Sequence, residues 1–305
     1  MNSQRRDFLL VVALAAAAAT PALGQAAAPV AGPANSGKQG AAAIPDLSGI
    51  WVHGSIPGFE PLRSGPTALV NRSRRNGVGD ILQLVGDYTN PILKPAAADV
   101  VKKAGDVALK GVGYPTPRNQ CWPGGVPFVF TSGAIDIVPQ PDQVTILYNY
   151  DHQVRHVRMN QPHSAQVTPS WYGDSVGRYE GDTLVIDTVG IKVGPYAMVD
   201  WFGTPHTEAL HVVERYRLLD DAAAKEGWER DARENFRAQP RPDYRGKYMQ
   251  LQFTVDDTGV FATPWTATMT YGRGPADWVE TVCAENTQWF PGQEAALPTA
   301  AKPDF

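Results

Sequence analysis

Residues 210–220 read Leu-His-Val-Val-Glu-Arg-Tyr-Arg-Leu-Leu-Asp, and how these side chains divide decides the fold. In an extended chain successive side chains point to opposite faces, so Leu210, Val212, Glu214 and Tyr216 share one face while His211, Val213, Arg215 and Arg217 share the other. The same period of two recurs on both sides. QVTILYNY (143–150), VRHVRM (154–159), DTLVIDTVG (182–190), KYMQLQFTVDD (247–257) and PWTATMTYGR (264–273) are rich in Val, Ile, Thr, Tyr and Phe and are separated by Gly, Asp, Asn or Pro. That is the pattern of antiparallel strands. Tyr179–Thr183 and Asp256–Gly259 sit where hairpin turns are expected.

Farther out the period changes. Residues 55–120 are rich in Pro, Gly and Arg, with one helical patch from Pro95 to Lys110. Residues 220–240 have helical composition and high charge, as a surface insertion between two strands would. No internal repeat occurs. An open sheet leaves unpaired edges, so strands of this kind must close as a barrel or stack as a sandwich. The expected fold is mainly β, a closed or nearly closed antiparallel barrel, with the sandwich as its rival.

The 305 residues are 43% hydrophobic, with 27 basic and 31 acidic side chains and a net charge of −4. This composition supports a packed core and excludes wholesale disorder. A nucleic-acid partner is not expected, because phosphate binding needs clustered Lys and Arg. The 29 glycines and 26 prolines imply many turns and short elements.

The ends carry a different message. Residues 1–24 combine Arg5-Arg6-Asp7-Phe8-Leu9, an apolar run and Ala22-Leu23-Gly24, the anatomy of a twin-arginine export signal. The run is shorter than the ~20 apolar residues that span a bilayer. A periplasmic or secreted chain is expected, without a membrane anchor after cleavage. Residues 25–44 read as a flexible leader, 45–290 as a single domain and 291–305 as a loose tail. Cys121 and Cys283 are the two cysteines. An oxidising compartment would allow a disulfide, worth roughly 4–5 kcal/mol in the chain-entropy model, while two separately buried thiols are an equal alternative.

Several motifs suggest chemistry and fail on context. Gly173-x-Ser175-x-Gly177 matches the nucleophile elbow of hydrolases, but the elbow needs a helix after the serine and the sequence continues as strand, turn, strand. His206-x-Glu208 is half of a zinc deaminase signature, whose Cys-x-x-Cys half cannot form here. His152 and His156 have helical metal spacing but flank a turn between two strands, so a metal site is not expected. Phosphate loops and dinucleotide fingerprints are absent, and no cofactor is expected.

The densest polar cluster spans residues 203–217 and holds His206, Glu208, His211, Glu214 and Arg215. If Glu214 points inward with Leu210 and Val212, burial favours its neutral form unless a cation pairs with it. A barrel interior holding a carboxylate, an imidazole and aromatic rings would suit acid–base work. In that reading His206 and His211 trade protons, Glu208 or Glu214 orients them, and Arg215 stabilises negative charge. Strand alternation prevents all five from facing one cavity, and His206, Glu214 and Tyr216 form the expected inward set. Structural ion pairing is the competing reading. Trp171, Trp201, Tyr216 and Tyr271 are the aromatic residues expected to line a ligand site.

Trp171-x-Gly173-x-Ser175-x-Gly177, Glu180-Gly-Asp-Thr-Leu-Val-Ile-Asp-Thr188, Gly203-x-Pro-His-x-Glu208, Leu210-His-x-x-Glu-Arg215 and Pro264-Trp265 together resemble a large family of exported, lipocalin-like bacterial proteins. The likeness covers roughly residues 45–290 and includes Cys121-Trp-Pro-Gly-Gly-Val-Pro127 and Val282-Cys283-Ala284-Glu285-Asn286. Relatives often carry His where Ala284 stands. The resemblance implies a barrel and states no reaction. The combined expectation is an exported barrel that binds a small apolar or aromatic molecule, with a cofactor-independent lyase, isomerase or hydratase step as a hypothesis. A non-catalytic carrier and a hydrolase using Ser175 are the alternatives.

Overall fold

The computed structural model describes residues 44–54, 56–235, 246–274, 282 and 283. The expected export signal, the expected leader up to residue 43 and the expected tail from residue 291 lie outside them. Strands β1 (Gly49–Val52), β2 (Glu60–Pro61), β3 (Arg74–Arg75) and β4 (Val78–Gly79) come first, followed by helix α1 (Pro95–Ala108). Next come β5 (Ala134–Pro139), β6 (Gln143–Tyr148), β7 (Val154–Met159), β8 (Asp174–Glu180), β9 (Thr183–Val189) and β10 (His211–Leu219). Helix α2 (Asp221–Glu234) then precedes β11 (Tyr248–Asp256) and β12 (Trp265–Arg273).

Nine strands, β1 and β5–β12, close into a barrel. Closure falls on β1, which pairs with β5 along one edge and with the end of β12 along the other (Trp51↔Arg273, Val52↔Gly272). β2 occupies the remaining free edge of β12 through Ala267↔Pro61 and Thr268↔Glu60. The barrel neighbours are antiparallel except β7 and β8, which pair in parallel through Val157↔Ser175. Parallel neighbours need a crossover of about a dozen residues or more, and residues 160–173 supply it. The expected hairpin at residues 179–183 is present, with Gly181 at φ 63° where a side chain would be disfavoured.

Alternation fills the interior. Val144, Ile146 and Tyr148 of β6, Val212, Glu214 and Tyr216 of β10, and Trp265, Ala267, Met269 and Tyr271 of β12 are all buried. Phe253 centres an aromatic cluster, meeting Phe59 at 4.8 Å and Phe130 at 5.1 Å between ring centroids. Burying rings of this size is the main stabilising contribution of the core.

The two helices lie outside the wall. α1 opens with Pro95 at its first position, where the missing N–H costs nothing, and buries Ala97, Val101 and Ala104 on one stripe. α2 is capped by Asp220, whose carboxylate accepts from the Ala223 amide at 2.8 Å. It lies so close to β12 that a Cβ on Gly227 would overlap the Thr270 side chain. Cys121 and Cys283 form a disulfide across 162 residues of sequence, with their Cα atoms 5.6 Å apart. Among the described residues no helix is long and apolar enough to cross a membrane.

Candidate functional site

Glu214 points into the barrel and is fully buried, as the phase of β10 predicts. Its partner is Arg155 of β7, in phase with inward-facing Val157 and Met159. The guanidinium meets Glu214 with both terminal nitrogens, at 2.6 Å to Oε1 and 3.0 Å to Oε2. Its remaining donors reach Ser175 Oγ at 2.9 Å, Tyr148 Oη at 3.2 Å and Thr188 Oγ1 at 2.6 Å. An arginine has five N–H donors, and each has an acceptor here. The Tyr216 hydroxyl donates to Glu214 Oε2 at 2.8 Å. Burial alone would pull the guanidinium down, but the Glu214 carboxylate outweighs it and holds Arg155 well above its ordinary value. Burial pushes the Tyr148 hydroxyl up to about 12, so it stays a neutral member of the network.

This is a closed polar network, not an open acid–base pair. Ser175 lies on β8 with 2% exposure, its hydroxyl held by Arg155 and lying 3.1 Å from Thr188 Oγ1. The strand, turn and strand around it leave out the helix that a nucleophile elbow requires.

The other expected catalytic residues lie elsewhere. His206 sits in a buried loop turn, its Nδ1 3.2 Å from the Thr207 carbonyl, and burial lowers its pKa. Its neighbour Thr207 anchors the turn, donating through its amide (2.6 Å) and hydroxyl (2.7 Å) to the Asp257 carboxylate. Glu208 is exposed. His211 and Arg215 point outward. His211 Nε2 lies 2.9 Å from Asp187 Oδ1, an oxygen shared with His163 Nε2 at 2.9 Å, while His163 Nδ1 faces Asp174 at 3.1 Å. The Asp187 hydrogen bond raises the pKa of His211. Arg215 pairs with Glu180 at 2.7 Å. The five residues therefore occupy the interior, a loop turn and the outer wall, with no common space. The His163–Asp187–His211 string does not converge as ligands do, and among the described residues no group of three or more such side chains could hold a metal ion.

The expected aromatic residues also separate. Tyr216 and Tyr271 are sealed in the core, and the Tyr271 hydroxyl has no hydrogen-bond partner among the described residues. His53 meets the Tyr271 ring edge-on at 4.7 Å, and burial drives its pKa down to about 4. Trp171 is half-buried against Trp122, with Lys192 5.1 Å from its ring centroid. Trp201 alone among the four lines a sizeable cleft.

That cleft, of about 310 Å³, lies outside the barrel. Ala104 and Ala108 of α1 form one wall, Ile81, Leu82 and Leu84 another, and the segment from Gly111 to Asn119 together with Trp201 lines the rest. The Trp201 ring is fixed by a 2.9 Å hydrogen bond from its Nε1 to Thr131 Oγ1 and by stacking on Phe128 at 6.4 Å. Sequence patterning singled out Trp201 but neither Arg155 nor Arg118. The signal for Arg155 was present, since it shares its strand face with Val157 and Met159. Arg118 carried none, because its neighbours in space come from residues 150 and 201.

No family model, curated protein or solved structure matches this chain.

Proposed function

We propose that the protein binds a small apolar or aromatic molecule in the cleft ended by Trp201, and that it does so after export. The observation that carries this reading is the cleft itself. Its volume of about 310 Å³ falls at the lower end of the usual ligand-pocket range, ~300–1,000 Å³, and its walls are mainly aliphatic with one fixed indole. The export signal and the likeness to lipocalin-like exported proteins fit such a role.

A carrier is favoured over a lyase, isomerase or hydratase. Among the described residues, those lining the cleft include no carboxylate and no imidazole, the side chains most used for acid–base work. His206, His211, Glu208, Glu214 and Arg215 lack a shared space in which to act together, and Ser175 is engaged inside the wall.

The neutral dye N-phenyl-1-naphthylamine tests the reading, since its fluorescence rises on leaving water. Saturable binding is expected, weakened at least tenfold by Trp201→Ala and by the cleft-filling Ala108→Phe, with Tyr216→Phe binding as the unaltered protein does. Absence of saturable binding, or affinity in both cleft variants equal to that of the unaltered protein, would refute it.

A further inference from the structure

We infer that the cleft selects molecules carrying an anionic head, a carboxylate being the best fit, and that Arg118 receives it. This rests on the cleft being the ligand site.

The argument begins with residues 114–121, Tyr-Pro-Thr-Pro-Arg-Asn-Gln-Cys. Two prolines restrict the backbone, and Thr116 and Asn119 lock it by exchange. The Thr116 amide donates to Asn119 Oδ1 at 2.8 Å, and the Asn119 amide donates to Thr116 Oγ1 at 3.2 Å. Asn119 Nδ2 also donates to the Tyr114 carbonyl at 2.8 Å, and the disulfide at Cys121 ties the end of the segment to Cys283. Arg118 is thus presented on a braced turn, which lowers the ordering cost of binding.

The guanidinium carbon lies 5.4 Å from the Trp201 ring centroid and 5.3 Å from that of Tyr150. Ring faces attract a cation and orient its plane, but they do not neutralise its charge. Among the described residues no carboxylate forms an ion pair with Arg118, whereas Arg74, Arg75, Arg155, Arg158, Arg178 and Arg215 each have one. The nearby Asp151 is occupied, accepting from the Tyr172 hydroxyl at 2.7 Å and the Gly124 amide at 2.8 Å. The Tyr150 hydroxyl, buried next to this arginine, also has no partner among the described residues. A charged fork at one end of an aliphatic cleft matches a molecule with an apolar body and a planar anionic head, because a guanidinium can hold a carboxylate with two parallel hydrogen bonds.

The test compares 2-naphthoate with its neutral counterpart 2-naphthamide, each displacing N-phenyl-1-naphthylamine from the full-length protein. Naphthoate is expected to bind at least tenfold tighter at low salt, with the advantage shrinking as salt rises. Arg118→Gln should erase the advantage, bringing the ratio of the two affinities to about one, and Arg118→Lys should keep part of it. Equal binding of the two compounds, or a preference that survives Arg118→Gln, would overturn the charge selection while leaving the cleft reading intact. Failure of all three compounds to bind would overturn the cleft reading and this one with it.

Discussion

Arg155 and Arg118 are the same side chain under opposite conditions. Inside the barrel, Arg155 has every donor engaged, a carboxylate held at two points and no route to solvent, so its charge is committed to the fold. At the cleft, Arg118 lies over two rings and finds no carboxylate among the described residues. A buried charge must be paired where it stands, whereas an exposed one stacked on aromatic faces can wait for a ligand. What sets the two arginines apart is unengaged hydrogen-bonding capacity, which the density of polar residues along the chain does not reveal.

The largest expected effect breaks the interior pair. Arg155→Met leaves Glu214 buried without its cation and should cost ~3–5 kcal/mol in urea unfolding. Combining it with Glu214→Leu removes both charges and should recover most of the loss, because well-packed apolar groups often replace a buried pair at little cost. The double variant should still bind N-phenyl-1-naphthylamine. Loss of dye binding in a stable double variant would make the interior part of the site and dissolve the contrast.

The disulfide comes next, because it braces the segment bearing Arg118. Replacing both cysteines by serine should cost ~2–5 kcal/mol, the entropic model for a loop of 162 residues standing at the upper end. Thermal unfolding with and without reductant measures it. The variant should also lose more affinity for naphthoate than for naphthamide. Equal losses would mean that the brace acts on stability alone.

How much of this was legible in the sequence depends on the range of the signal. The phase of residues 210–220 correctly turned Glu214 and Tyr216 inward and His211 and Arg215 outward, because alternation is a local property. The same rule applied to residues 154–159 places Arg155 inside and His156, which has metal-ligand spacing from His152, outside, where it is exposed. The parallel β7–β8 pair and closure on β1 depend on contacts between distant segments, which local patterning does not encode. The cysteine spacing left bonded and separate thiols equally open, since it says nothing about the distance between Cα atoms. The His206-x-Glu208 motif resolved into a turn whose working residue is the intervening Thr207, bound to Asp257.

A third charged region, where α2 packs on β2, gives a smaller and pH-dependent effect. Burial pushes Glu60 and Asp231 each up to about 7, and Glu60 and Glu234 add to the shift of Asp231. Arg230 lies 3.4 Å from Glu60 and offsets its burial only in part. A carboxyl with a raised value holds its proton longer in the native state than in the unfolded one. Its stabilising contribution is therefore complete at low pH and is lost as pH rises toward and through about 7. His53, depressed to about 4, acts in the opposite sense, losing stability as pH falls from its ordinary value toward 4. Asp231→Asn should stabilise by ~2 kcal/mol more at pH 8 than at pH 5. Melting curves at the two pH values decide it, and an equal shift at both would remove titration as the cause.

The smallest effects are expected on the outer wall. Arg215 and Arg178 share Glu180, the first at 2.7 Å from Oε2 and the second, through its Nε, at 2.9 Å from Oε1, so loss of Arg215 leaves the carboxylate paired. Exposed pairs of this kind contribute little and weaken further with salt. Arg215→Ala and Glu208→Ala should each move Tm by no more than about 2 °C and leave dye affinity unchanged. Both residues belong to the polar cluster that the sequence favours for catalysis, so this near-absence of effect discriminates sharply. A tenfold loss of binding in either variant, with Tm held, would show that density of polar residues had marked the working surface after all, and the contrast between Arg155 and Arg118 would no longer locate the site.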